Sequence, residues 1–163
     1  MTMTHHQVAQ GRGESPTRRT SRRPASTDLS PAECQALLES RTIGRIGWTA
    51  GDGPQIFPVS YACVADLIVF RTSPFGVLSE LVRPAQVVFE VDELDEGGHS
   101  GWSVIARGRA QAVASPALLT HLWTVDGAEP WAAGTRNLFI GIEVERLTGR
   151  SFGSSRRPPS TGR

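Results

Sequence analysis

A mainly β fold with a few short helices, its antiparallel sheet curled into a small closed or nearly closed barrel, is what this sequence predicts for residues 29–150. Three observations carry that expectation. Six runs rich in Val, Ile and Phe recur between Gly, Asp or Pro residues. Three Ser-Pro dipeptides punctuate those runs with the chemistry of a helix start. The resulting order, α-βββ-α-ββ-α-β, lacks the helix between nearly every pair of strands that a parallel sheet needs.

Taken along the chain, residues 1–28 contain almost no large apolar side chains and many Ser, Thr, Arg and Pro, so a disordered tail is expected there. Two Arg pairs, Arg18-Arg19 and Arg22-Arg23, are followed by no apolar run, which argues against a twin-arginine export signal. Ser30-Pro31 opens the first helix, with Glu33 at the capping-box position and Cys34, Leu37 and Leu38 on one face. Strands are expected over 43–50, 54–63 and 66–72, joined as a meander by the turns Gly51-Asp52-Gly53 and Ala65-Asp66. Ser73-Pro74 then predicts a second helix carrying Val77, Leu78, Leu81 and Val82 and stopping at Pro84. Strands over 86–93 and 102–114 follow. Ser115-Pro116 predicts a third helix with Leu118, Leu119, Leu122 and Trp123 at helical spacing, ending near Gly127. In the last strand, 137–147, Leu138, Ile140, Ile142 and Val144 alternate with Phe139, Gly141, Glu143 and Glu145, as expected when one face is core and the other partly wet. Residues 151–163 read as a second disordered tail.

Charge narrows the chemistry. Residues 1–28 hold five Arg against Glu14 and Asp28, and residues 151–163 hold three Arg and no acid, so the tails carry six net positive charges and the centre five negative. An acidic centre argues against a nucleic-acid surface on the domain itself, because phosphate contacts need a clustered basic face. Only the tails can contact polyanions. All 17 basic residues are Arg. The absence of Lys excludes Schiff-base chemistry and the usual phosphate-loop signature. Cys34 and Cys63 lie far apart with no Cys or His partner at metal-ligand spacing, so no metal is expected and a reducing cytoplasm suits two ordinary buried thiols. No stretch of about 18 uninterrupted apolar residues is present to span a bilayer, so a soluble domain is expected.

Two places suggest a ligand. Pro58 interrupts a good strand and cannot donate to a ladder, so that strand lies at an edge, is bulged, or faces something other than a strand; a plain edge and a ligand explain it equally well. Arg71 and Thr72 end a strand just before Ser73-Pro74, which gathers a cation, two hydroxyls and free backbone N–H groups, an anion site in outline or simply a capped helix after a strand.

Four ordered segments bear on both places: PVSY (Pro58 to Tyr61), FRTSPFGVL (Phe70 to Leu78), FEVDELD (Phe89 to Asp95) and GWSVIARGRA (Gly101 to Ala110), with TGR (Thr148 to Arg150) closing the domain. Over residues 29–150 the chain resembles the pyridoxamine 5′-phosphate oxidase-like flavoproteins, especially the branch containing nitroimidazole-resistance proteins. The resemblance implies a six-stranded antiparallel split β-barrel that forms a homodimer and binds flavin mononucleotide (FMN) in clefts between subunits. It implies that Pro58, Val59 and Ser60 line the isoalloxazine edge through their backbone. Arg71, Thr72, Ser73, Gly76 and Val77 would surround the phosphate, and Trp102 and Ser103 would approach from the dimer interface. Ser60 stands where many relatives carry Asn, and Val77 where they carry a phosphate-binding Lys. The chain also lacks the Arg- and His-containing C-terminal signature of vitamin B6 oxidases, so oxidation of pyridoxamine phosphate is not expected.

The acidic run Asp92, Glu93, Asp95 and Glu96 with His99 reads better as a solvated turn than as a metal loop. Trp131 either stacks on a flavin or caps the barrel. Two functions remain open on this reading: an FMN-dependent oxidoreductase acting on a small electron-poor substrate, whose chemistry the cofactor supplies, and a non-enzymatic module that binds flavin, deazaflavin or haem.

Overall fold

The structure, a computed structural model, describes residues 26–125 and 134–153. Seven strands, β1 (Thr27–Asp28), β2 (Ile43–Ala50), β3 (Gly53–Val64), β4 (Leu67–Thr72), β5 (Ala85–Asp95), β6 (Ser100–Ala112) and β7 (Leu138–Phe152), form one antiparallel sheet. Its order is β1-β7-β4-β3-β2-β5-β6, and a further β6–β7 pairing closes the six long strands into a ring. The expected barrel and the β2-β3-β4 meander are therefore present, their turns set by Gly51-Asp52 and Ala65-Asp66.

Alternation along the strands fills the interior. Ile46, Tyr61, Phe70, Phe89, Val104 and Ile142 are fully buried inside the ring. Tyr61 and Phe89 meet edge to face at 4.8 Å. The helix α1 (Pro31–Glu39) closes one end, with Ser30 and Glu33 forming a reciprocal capping box and Cys34 and Leu38 buried. It packs close because Gly149 has no side chain: a Cβ there would meet Cys34 Sγ at 2.8 Å and Ser103 O at 3.1 Å. Tyr61 Oη donates to the Leu38 carbonyl and ties α1 to the core.

Four expectations need correction. Thr27, Asp28, Ser151 and Phe152, assigned to the tails, belong to the sheet: β1 pairs with β7 through Thr27↔Ser151 and Asp28↔Arg150. Backbone pairing makes that contact, and polar composition does not report it. Ser73-Pro74 does not start an α-helix. Ser73 Oγ accepts from the Phe75 N–H at 3.2 Å in a local turn, and a short 3-10 helix (Val77–Val82) begins after Gly76 with no side-chain cap. The helix α2 (Pro116–Leu122) is capped by Ser115 as expected but stops at Leu122, with Trp123 as C-cap; Gly127 lies outside the described residues. Finally, Phe139 is not on a wet face. It is 2% exposed because α2 covers the outer side of β4 and β7, where Val69, Leu122 and Phe139 make a second small core.

Among the described residues no helix is long and apolar enough to cross a membrane, and no cluster of His, Cys, Asp and Glu can hold a metal ion. The acidic run is taken up locally. Asp92 pairs with Arg45 at 3.3 Å, Glu93 pairs with Arg41, and Asp95 Oδ1 accepts from the Gly98 N–H at 3.0 Å.

Candidate functional site

The ring parts at one seam. β3 is 12 residues long, yet it pairs with β4 only from Tyr61↔Phe70 to Val64↔Leu67. Beyond Tyr61 the two strands diverge, although β4 continues through Arg71 and Thr72 against β7. A cavity of about 520 Å³ opens there, lined by Pro58, Val59, Ser60, Arg71, Thr72, Ser73, Gly76 and Val77 together with Ile43, Phe57, Leu78 and Arg136.

Backbone alternation decides what faces the opening. The Tyr61 N–H donates to the Thr42 carbonyl at 2.8 Å, so odd-numbered residues of this stretch turn their polar groups toward β2. The N–H and C=O of Ser60 and the C=O of Pro58 therefore turn toward the absent part of the β3–β4 ladder. Proline costs nothing at this position, because no strand is there to receive the missing N–H. By the same rule Arg71 turns its backbone groups into the seam from the other side.

The side chains divide by face. Thr72 is 2% exposed, whereas Arg71 lies on the α2 side above the second core. Its Nε donates to the Arg136 carbonyl at 3.1 Å, and its guanidinium sits 4.3 Å from the Trp123 ring centre and 5.4 Å from that of Phe139. Among the described residues no acceptor meets its two terminal nitrogens. Among the described residues the lining contains two Arg and no acid, within an otherwise acidic domain. The 3-10 helix is too short to add an appreciable dipole, so cations and hydroxyls must hold any anion.

Eight of the ten residues singled out from the sequence thus surround one cavity. Trp102 and Ser103 do not. Ser103 lies on β6, three strands around the ring from β3, where it pairs with Asp92 of β5. Trp102 Nε1 donates to Glu93 Oε2 at 3.2 Å, and Arg41 lies over its ring. Trp131 lies outside the described residues. Arg136 and Trp123 were not identified from the sequence as site residues. Arg136 reaches the cavity only because Leu138 registers with Thr72, a pairing between segments more than sixty residues apart.

A six-stranded antiparallel ring that opens at one seam into an arginine-walled cleft of cofactor size defines a split-barrel protein. The chain belongs to the pyridoxamine 5′-phosphate oxidase family, whose model matches residues 30–151. An uncharacterized protein of Mycobacterium tuberculosis, Rv0080, is 31% identical over 137 residues, 80% of this chain and 89% of that protein. Among solved structures, the FAD binding protein from Mycobacterium smegmatis is similar with a TM-score of 0.64 at 30% identity, over 77% of this chain and 97% of that one. The Corynebacterium diphtheriae protein of unknown function DIP1874 gives a TM-score of 0.63 at 30% identity, over 78% and 98% of the two chains.

Proposed function

We propose that the protein binds FMN in the seam between β3 and β4 and works as a cytoplasmic oxidoreductase that reduces a small electron-poor substrate, such as a nitro compound or a quinone. The observation that carries this reading is the cleft itself. One wall offers backbone donors and acceptors from Pro58 to Ser60, and the other offers Arg71, Thr72, Ser73 and Arg136. Its volume of about 520 Å³ falls within the ~300–1,000 Å³ typical of cofactor sites. Family membership and the similarity to a FAD binding protein support a flavin as the ligand.

When bound, the flavin would supply the electron transfer, and among the described residues the lining holds no acid–base pair and no metal set. The chain's own residues bind and orient it. Ser60 N–H and C=O and Pro58 C=O meet the polar edge of the ring, Arg71 and Ser73 hold the phosphate, and Ile43, Phe57, Val59 and Leu78 exclude water. A haem reading lacks such support, because among the described residues neither His nor Cys lines the cavity. A homodimer belongs to the same proposal. A second copy would cover the exposed Phe75 and Val77 at the lip and bring its Trp102 and Ser103 to the cleft.

Light scattering of the FMN-loaded protein is expected to give twice the 17.6 kDa chain mass. Anaerobic addition of NADH or NADPH should bleach the flavin absorption, and a nitroaromatic should restore it. Protein that binds FMN but is bleached by neither donor would overturn the enzymatic part and leave a binding module.

A further inference from the structure

We infer that Trp123 is a positioning residue that holds the Arg71 guanidinium toward the cleft, and so sets how strongly the site discriminates phosphate-bearing ligands from phosphate-free ones. The inference rests on the proposed cleft and goes beyond it to a residue that does not line the cavity. The Arg71 guanidinium is held at three points: the Trp123 ring at 4.3 Å, the Phe139 ring at 5.4 Å and, through Nε, the Arg136 carbonyl at 3.1 Å. Among the described residues, no acceptor takes up the pair of terminal nitrogens, the fork that suits a phosphate. An arginine left to itself on a strand end samples many rotamers, and ordering it on binding would weaken the contact.

Packing alone does not account for Trp123. The buried anchor of α2 is its neighbour Leu122, 1% exposed against Val69 and Phe139. Trp123 itself is the C-cap, and 54% of it remains exposed. Its edge-to-face contact with Phe139, at 5.1 Å and 87°, fixes the indole so that one side faces Arg71. The result is an aromatic wall behind the Arg71 guanidinium, at the end of an element that otherwise takes no part in the cleft.

The test compares Trp123→Leu, which keeps apolar bulk but removes the π face, with Trp123→Phe, which keeps a smaller π face, and with Arg71→Ala. FMN and riboflavin are titrated into each full-length protein with flavin fluorescence as the readout. Trp123→Leu is expected to weaken FMN binding about three- to fivefold, the effect of one partly exposed cation–π contact, with riboflavin binding unchanged. Trp123→Phe should recover most of that loss. Trp123→Leu that binds FMN as tightly as wild type, while Arg71→Ala loses affinity, would overturn the positioning role and leave the cleft standing. Equal weakening toward both flavins in both Trp123 variants would make Trp123 a packing residue and overturn it too. If Arg71→Ala leaves FMN binding intact, the reading on which the inference rests fails first.

Discussion

Val77→Lys adds a cation to the cleft, and the structure sets how much it should contribute. Val77 is the first residue of the 3-10 helix, lines the cavity and is 48% exposed. A lysine there keeps its stem along the lip and loses little packing, since changes at half-exposed positions usually stay within about 0.5 kcal/mol. A hydrogen bond to a charged phosphate is worth about 1.5–3 kcal/mol when well sheltered. Solvent at this open lip cuts that to the order of 0.5–1.4 kcal/mol, or about two- to tenfold in affinity. FMN titration at low salt should therefore show tightening by that factor, riboflavin should show none, and the FMN gain should shrink as salt screens the new charge. Unchanged FMN affinity at low salt, or equal tightening of both flavins, would refute the placement of the phosphate beside Gly76 and Val77.

Arg71→Ala should weaken FMN binding about tenfold or more, the factor that ~1.4 kcal/mol represents, and leave riboflavin nearly unaffected; fluorescence quenching measures both. Tyr61→Phe removes the hydrogen bond to the Leu38 carbonyl and should cost about 1–2 kcal/mol of stability, read by urea unfolding, because the buried acceptor loses its donor. Burial, with the Glu39 carboxylate adding to it, pushes the Cys63 thiol from 9.0 up to about 11. Alkylation of Cys63 at pH 8 should then run about a hundredfold slower than that of a free thiol. The folded state holds this proton more tightly than the unfolded chain, so the associated stability is full below about pH 9 and is lost as pH rises toward 11, which pH-dependent melting would follow.

The first three long strands were legible because they are bounded by residues that cannot continue them: β2 ends at Gly51-Asp52 as expected, and β3 and β4 meet at Ala65-Asp66, whereas β7 runs on to Phe152, past the expected 147. Ser30 and Ser115 read correctly as caps, yet the same dipeptide at Ser73-Pro74 makes a turn. A Ser-Pro pair encodes a start, and whether a helix follows depends on what the next turn packs against. Here only Leu81 of the following helix is buried. Pro58 and Arg71 could be singled out because an interrupting proline and a strand end leave local marks, whereas Ser60 came only with the family resemblance. Arg136 and Trp123 leave none, since the β4–β7 register and the seat of α2 on Val69 and Phe139 bring them to Arg71. Phe139 was misplaced for the same reason: alternation reports two faces, but not that α2 covers the second.

Titration of FMN into wild type and Ser60→Trp tests directly whether the seam between β3 and β4 is a flavin site. Ser60 lines the cavity from the outer face of β3, so an indole at this position fills the opening without entering the barrel interior. Saturable quenching at one FMN per chain in the wild type, lost in Ser60→Trp while the melting temperature stays the same, is the predicted result. Absence of saturable binding in the wild type, or undiminished binding in Ser60→Trp, would contradict the claim.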